Sequence, residues 1–341
     1  MPPYCLIATT GQSLARAARA ANGQWAVEVL LPGTTVNCFA THPQRPQVVY
    51  AGAKGAGVLR SADGGQTWQP AGLVGNTVKA LAVTASDPEA LFAGTKPPAV
   101  FVTRDGGEHW VELESFRRMR RPHWMTPAEP GDPYVQGLAV SPTHPDLILA
   151  GVEYGAVLRS ADGGQTWHGH LKGTSQDCHS LSFHVTDGNW AYQGGGGWPA
   201  AVSHDGGVTW RQPRRGLGWS LYGWSVAADP ARPEVWYVSA APLATFPRFW
   251  MFPTAHWDGH AHAGIFRSSG DGGWTRLAGG LPQPLNHMPY ALLTDPRAPG
   301  HLYAGLSDGE VWHTADYGDN WQQLPLNLGR ISRALVMLPA P

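Results

Sequence analysis

The sequence has few charged residues and no long apolar run, and each shortage excludes a class of protein. Only 14% of its 341 residues are charged, with 24 basic against 25 acidic residues. Such a balance argues against a nucleic-acid or membrane surface, because phosphate groups require a basic excess. No apolar run approaches the roughly 18 residues that span a bilayer. We therefore expect neither nucleic acid nor a membrane as a partner.

Cysteine is also scarce. Cys5, Cys38 and Cys178 are the only three, an odd number, and each falls in a predicted strand, so we interpret them as buried small hydrophobic residues without disulfides. Residues 1–4 contain no basic group, and the apolar stretch at 5–8 is too short for a secretion signal. We expect a cytoplasmic protein.

Turn-forming residues are abundant, and one turn phrase recurs along the chain. The sequence contains 43 glycines, 30 prolines and 16 tryptophans, a composition typical of many short strands joined by tight turns. The phrase Ser-Ala-Asp-Gly-Gly-Gln-Thr-Trp occupies residues 61–68 and again 160–167. Variants occur at 103–110, 203–210 and 314–321, with weaker copies at 268–274 and 21–25. The copies lie 42 to 64 residues apart, a spacing typical of the blades of a propeller.

The chemistry of the phrase is local. Asp accepts backbone N–H groups, Gly permits positive φ, and the Trp buries a large apolar area between neighbouring blades. We therefore expect these aspartates to be structural and nominate none as catalytic.

Each phrase lies between the third and fourth strands of a four-stranded unit. The first unit has no inner strand before it, whereas residues 331–338 have an inner-strand pattern with no unit after them. The sequence thus predicts an all-β fold, a seven-bladed β-propeller with a C-terminal strand closing the first blade. We expect one domain over 1–341, with insertions at 114–133 and 241–264.

The repeated phrase resembles the Asp-box (BNR) repeats of sialidases, sortilin-like receptors, xyloglucanases and photosystem II assembly factors. The chain is similar to compact bacterial BNR-repeat proteins commonly labelled glycosyl hydrolases. Fold analogy alone is weak evidence for chemistry. The Phe/Tyr-Arg-Ile-Pro motif of sialidases is absent, so we do not expect sialidase activity.

Both insertions are predicted on the face opposite the boxes, which we call the mouth face. Long loops on one face of a fold with short turns usually carry function, the alternative being lids or contacts between subunits. From these insertions and other loops of this face we predict the ligand-binding residues Arg121, His123, Trp124, Trp219, Trp257 and His287.

The inner strands add polar side chains around the channel. Aligned on their apolar positions, they place one residue each on the same side two positions earlier. This predicted ring is Thr35, Lys79, Gln136, His179, Tyr222, Met288 and Arg333. We take Lys79, Gln136 and Arg333 as ligand-binding residues. With Lys54 and Lys96 they give a positively biased mouth, suited to a small polar or anionic molecule or a glycan.

His179 is the best candidate for a general acid or base, since Asp177 and Tyr222 are predicted nearby. Glycoside hydrolysis requires two carboxylates roughly 5 to 9.5 Å apart, and Glu153 with Asp177 is the best pair. The candidate catalytic residues are therefore His179, Glu153, Asp177 and Tyr222. A channel histidine bonded to water is the alternative.

A histidine cluster raises a second chemistry. His256, His260 and His262 lie close together in the second insertion, and neutral imidazoles bind divalent metals such as zinc or manganese. We consider a divalent metal as a cofactor here, the alternative being surface histidines on a lid.

Two function classes remain open. The first is a small-molecule enzyme or binder at the channel mouth, a hydrolase or lyase acting on a carbohydrate-like or anionic substrate. The second is a non-enzymatic protein-interaction or assembly scaffold. The insertions and the mixed inner ring favour the first class, whereas the absence of a complete catalytic motif favours the second.

Overall fold

The computed structural model describes residues 4–20, 22–121, 124, 132–245, 251–270 and 272–339. Within them, antiparallel strands form five four-stranded sheets, one seven-stranded sheet and a two-stranded hairpin. We divide the seven-stranded sheet into two units and number the units in chain order as blades one to seven. The strands of the first three blades are β1 (Tyr4–Thr9), β2 (Leu14–Arg19) and β3 (Trp25–Leu30); β4 (Val36–His42), β5 (Arg45–Ala53), β6 (Gly57–Ser61) and β7 (Gln69–Pro70); β8 (Thr77–Val83), β9 (Leu91–Lys96), β10 (Val100–Thr103) and β11 (Val111–Glu112).

The later blades repeat this plan. Their strands are β12 (Val135–Val140), β13 (Ile148–Val152), β14 (Val157–Ser160) and β15 (His168–Gly169); β16 (Asp177–Phe183), β17 (Ala191–Gly196) and β18 (Ala200–Ser203); β19 (Tyr222–Ala228), β20 (Val235–Ala241), β21 (Leu243–Thr245), β22 (Met251–Pro253), β23 (Gly264–Ser269) and β24 (Thr275–Arg276); β25 (Pro289–Thr294), β26 (Leu302–Leu306), β27 (Glu310–Thr314) and β28 (Gln322–Asn327). In blade five a bridge between Val202 and Arg211 takes the place of a fourth strand.

Helical structure in the described residues is confined to the two insertions. A single helical turn, α1 (Glu114–Arg117), follows blade three, and a 3-10 turn (Thr254–His256) follows the small β21–β22 hairpin inside blade six. No helix among the described residues is long and apolar enough to cross a membrane.

The last strand closes the ring. Strand β29 (Leu335–Pro339) pairs antiparallel with β1, with Leu338 opposite Cys5 and Leu335 opposite Ala8. The first blade therefore runs β29, β1, β2, β3, and its inner strand comes from the other end of the chain. The predicted all-β propeller fold is confirmed, and the C-terminal strand completes the first blade as predicted.

Glycines in the second strands let neighbouring blades approach closely. A Cβ atom added to Gly94 of β9 would lie 2.5 Å from the Val135 side chain of the next blade. One added to Gly151 of β13 would lie 2.2 Å from the sulfur of Cys178. A side chain at either position would push the blades apart, because the interior is close-packed. All three cysteines are free, and Cys5 and Cys178 are buried.

The Asp-boxes stabilise the turns between the third and fourth strands, on the face opposite the mouth face, which we call the box face. Ser160 donates to an Asp162 oxygen at 2.8 Å and accepts the Gly164 N–H at 2.8 Å, while Thr166 donates to the other Asp162 oxygen at 2.5 Å. These bonds, led by those of Thr166, lower the pKa of Asp162 to about 2. The same pattern recurs in blades two, three, five and seven. The box carboxylates are thus fully used within their own turns, as a structural role requires.

Candidate functional site

A step in register near the start of six inner strands sets the lining of the channel. In β4, β8, β12, β16, β19 and β25 the pairing with the second strand skips at least one residue, as in a β-bulge. A bulge leaves a residue unpaired and re-aims its side chain. The residues at these steps are Asn37, Lys79, Gln136, His179, Trp224 with Ser225, and Tyr290. With Arg333, just before β29, they line a cavity of about 320 Å³.

This ring differs from the predicted one in three blades. Asn37, Trp224 and Tyr290 occupy the positions assigned to Thr35, Tyr222 and Met288, so the predicted alignment is two residues off there. Met288 is fully buried in the core of blades six and seven. Trp224 and Tyr290 were missed because a large aromatic at a bulge looks like a core residue in the sequence.

One side of the cavity carries cations around an aromatic ring. The Lys79 ammonium lies 4.6 Å from the centroid of Tyr134, the Lys96 ammonium 5.8 Å away and the Arg333 guanidinium 6.0 Å away. Arg333 also lies 5.9 Å from the Trp224 ring. Cation–π attraction holds these groups against aromatic faces. Among the described residues, this is the side of the mouth where positive charge collects.

The other side holds a buried ion pair. His179 Nδ1 lies 2.6 Å from the carbonyl oxygen of Gly223, and Nε2 lies 3.2 Å from Oδ1 of Asp177. Burial alone lowers the pKa of His179, but the Asp177 carboxylate and the Gly223 carbonyl outweigh it and raise the pKa above its ordinary value. The raised pKa favours the protonated ring, in which Nδ1–H donates to the Gly223 carbonyl and Nε2–H faces the Asp177 carboxylate.

The predicted catalytic residues come together at the buried side of the mouth. Glu153 and Asp177 are both buried, and their charges contribute to a raised pKa for the Tyr222 phenol, which burial mainly causes. Neither carboxylate lines the described part of the cavity. Of the two ring nitrogens of His179, Nδ1 is bonded to the Gly223 carbonyl and Nε2 faces the Asp177 carboxylate. The geometry therefore joins these residues as a buried polar network.

The second insertion is fastened to the inner strands by His256. Its Nδ1 lies 2.7 Å from the Tyr290 hydroxyl and its Nε2 3.0 Å from that of Tyr222. Tyr290 donates its proton to the Ala255 carbonyl, so its oxygen accepts from Nδ1–H, and Nε2 accepts from Tyr222. His256 is exposed as a whole residue, but desolvation of its ring between the two tyrosines and the nearby charge of His179 lower its pKa to about 4. At neutral pH, His256 is thus an uncharged residue that connects the second insertion to two inner strands through hydrogen bonds.

The structure does not bring the predicted metal ligands together. His260 and His262 are exposed, and both nitrogens of His256 already have tyrosine partners. Within the described residues, the one group with ligand atoms close enough for a metal is Asp105, Glu108 and His109. It lies in the box of blade three, where Asp105 already closes the turn.

The remaining predicted ligand-binding residues have different environments. Trp124 is buried against Phe116 and packs the first insertion onto blade four, and its contact with a ligand stays a prediction. Arg121 is exposed, and His123 lies outside the described residues. The ring nitrogens of His287 lie 3.6 Å from Asp258 and 3.6 Å from Asp308.

Exposed aromatic side chains are concentrated on the mouth face. All such residues in the described part of the chain lie in the connections or the inserted β21–β22 hairpin of blades four to six. They are Tyr154, Trp198, Trp219, Phe252 and Trp257, and we call them the aromatic crescent. Trp219 is the most exposed, at 82%. Only Trp219 and Trp257 were among the predicted site residues. Phe252 follows a segment, residues 246–250, that lies outside the described residues.

Comparisons with known proteins support the fold. The family model of the photosynthesis system II assembly factor YCF48 matches residues 39–182. The structure of YCF48 bound to D1 peptide is 17% identical, with a TM-score of 0.57, covering 90% of this chain and 94% of that one. YCF48 from Cyanidioschyzon merolae is 14% identical, with a TM-score of 0.58, covering 88% of this chain and 87% of that one.

Glycoside hydrolases form a second group of similar structures. The GH74 xyloglucanase from Xanthomonas campestris is 19% identical, with a TM-score of 0.61, covering 84% of this chain and 45% of that one. The chain thus spans less than half the length of the GH74 enzymes it matches. No curated protein sequence matches it.

One comparison corrects the predicted partner. In the YCF48 structure the bound partner is a peptide, and this contradicts the expectation of a small polar or anionic molecule or a glycan. The recurring boxes, the closed ring of four-stranded blades and the agreement with both groups of structures show that the chain is a BNR-repeat β-propeller.

Proposed function

We propose that this protein is a non-enzymatic interaction scaffold that binds a segment of a partner protein on its mouth face. The observation that carries the proposal is the aromatic crescent. Tyrosine, tryptophan and phenylalanine are enriched in protein interfaces, and here every exposed example in the described residues lies on one face of three adjacent blades. Such a grouping marks an interaction site more often than scattered exposed residues do.

The residues of the mouth support binding better than hydrolysis. The two predicted catalytic carboxylates, Glu153 and Asp177, are buried and do not line the described cavity, and Nδ1 of His179 is bonded to a backbone carbonyl. The likeness to an assembly factor and to a propeller with a bound peptide also supports a protein partner. The GH74 enzymes supply only a distant likeness of fold.

Selection of peptides tests the proposal. A library of synthetic peptides with free C-termini is selected on the immobilised protein, and affinities of the enriched peptides are measured by fluorescence anisotropy. We expect Trp219→Ala and Trp257→Ala to weaken binding at least about tenfold, because buried aromatic anchors dominate interface energies.

The matched control is Val185→Ala, which removes an exposed apolar side chain from a turn on the box face. It should leave the affinity unchanged. Failure to enrich any peptide, or affinities that both tryptophan variants retain in full, would overturn the proposal.

A further inference from the structure

The central cavity combines positive charge with polar atoms that have no partner. Lys79, His179 and Arg333 all line it, and no acidic residue does so in the described part of the chain. The charge of His179 is balanced by Asp177 behind it. The charge of Arg333 has no such balance, since no acceptor among the described residues bonds or pairs with its guanidinium.

Arg333 is already oriented for a planar partner. Its guanidinium lies 5.9 Å from the centroid of Trp224 and 6.0 Å from that of Tyr134, so two aromatic rings limit its movement. A guanidinium presents its N–H groups as a rigid fork that matches the two oxygens of a carboxylate. An arginine held in this way loses little further side-chain entropy on binding.

Gln136 supplies an independent sign of an occupant. It is 7% exposed, it lines the same cavity, and its Oε1 atom is buried without a hydrogen-bond donor. A buried polar atom of this kind costs free energy unless a partner arrives. The oxygen requires an N–H group, whereas Arg333 requires an acceptor.

A segment of polypeptide provides both groups. Its carboxylate oxygens accept from Arg333, and a backbone N–H beside them donates to Gln136. The cavity volume of about 320 Å³ accommodates a side chain or a chain end but no folded element. We propose that the cavity binds one carboxylate of the partner segment, from an acidic side chain or from the C-terminus. This inference rests on the proposed function, because it assigns the chemistry of the same partner.

A double-mutant cycle tests the inference with the full chain. For each peptide enriched on the wild-type protein, acidic residues are changed singly to their amides, and a separate version carries an amidated C-terminus. The two arms distinguish an acidic side chain from a terminal carboxylate. Each peptide is titrated against the wild type, Arg333→Gln, Arg333→Lys and Lys54→Gln. Lys54 is an exposed mouth-face lysine outside the cavity lining, so its variant controls for net charge.

We expect Arg333→Gln to lower the affinity for the best peptide at least about tenfold, because the loss of a close charge pair in an interface has an effect of this size. The same substitution should barely change the affinity for the peptide that has lost the critical carboxylate. Arg333→Lys should give a smaller loss, since it keeps the charge without the fork, and Lys54→Gln almost none. Melting temperatures of the free variants confirm that each remains folded.

Two results would overturn the inference. One is enrichment of peptides whose affinity depends on no carboxylate, and the other is independent, additive losses from Arg333→Gln and the peptide amides. If Trp219→Ala still lowers the affinity for the enriched peptides, the scaffold function stands and only the carboxylate site fails. If neither Trp219→Ala nor Arg333→Gln matters, both fail.

Discussion

The two faces of the ring are made from turns of opposite character. On the box face, five blades close the turn between their third and fourth strands with the same bonds among a hydroxyl, an Asp and a glycine N–H. On the mouth face, the residue at the register step of six inner strands differs from blade to blade, from Lys79 to His179 to Tyr290. Repetition on one face stabilises the ring, and variation on the other leaves it available for recognition.

This difference shows where sequence change is tolerated. A box residue acts within its own turn and between two blades, so its loss weakens the ring wherever it occurs. A mouth residue contributes to a single position on one surface. We therefore expect changes on the box face and at the ring closure to alter stability, and changes on the mouth face to alter binding.

Removal of residues 330–341 should have the largest effect. Blade one would lose its inner strand β29, β1 would become an open edge, and the buried Leu335 and Leu338 would be absent. We expect loss of the cooperative thermal transition seen by circular dichroism. A synthetic peptide of residues 330–341 should restore part of it. A truncated chain that melts like the full chain would contradict closure as the basis of stability.

Trp210→Ala should give the next largest effect. Trp210 is buried in the core between blades four and five, and its indole N–H donates to the Gly207 carbonyl at 3.0 Å. Truncating a buried tryptophan removes packing and leaves a cavity, so we expect a loss of roughly 3 to 5 kcal/mol in the free energy of unfolding. Urea denaturation measures it, and a loss below about 1 kcal/mol would contradict the structural role of the box.

The box face could be predicted from the sequence because the residues that form each of its turns are close together in the chain. A box places Ser or Thr, Asp, Gly and Trp within eight residues, and the same bonds form in five blades. Closure of the ring also followed from the sequence, since residues 331–338 match an inner strand that blade one lacks. Neither conclusion depends on how distant strands align.

The mouth could be predicted only in part, because its geometry depends on register. Asp177 and His179 were placed together by the two-residue period of a strand, and the structure joins them at 3.2 Å. Trp224 and Tyr290 were misplaced because a register step adds residues that no alternation reveals. The burial of Trp124 was not predicted, since nothing in the sequence indicates that Phe116 covers it.

The buried pair of the mouth should be visible in the pH dependence of stability. His179 has a raised pKa in the folded state, so the unfolded chain releases this proton near pH 6.5 while the folded chain retains it. Its stabilising effect is complete below that pH and is lost as the pH rises through the folded pKa. We expect stability to fall above about pH 6.5, by at most about 1.4 kcal/mol per pH unit.

Asp177→Asn should reduce the loss of stability above pH 6.5, because it removes the charge that raises the pKa of His179. His256 provides the matched control. Its pKa is lowered to about 4, so it contributes stability above pH 6.5 that is lost as the pH falls towards 4. His256→Gln should therefore reduce the loss of stability below pH 6.5 and leave the loss of stability above pH 6.5 unchanged. Identical pH profiles for the wild type and Asp177→Asn would contradict the charged state of His179.

Trp219→Ala should have the smallest effect on the ring and so gives the sharpest contrast with Trp210→Ala. Both changes remove the same side chain, but Trp219 is 82% exposed on the mouth face. Exposed substitutions away from special contacts usually change stability by no more than about 0.5 kcal/mol. We expect the urea midpoint to be unchanged while peptide affinity falls. A destabilisation of more than about 1 kcal/mol would mean that Trp219 supports its loop rather than a partner, and the division between the two faces would then not hold in blade six.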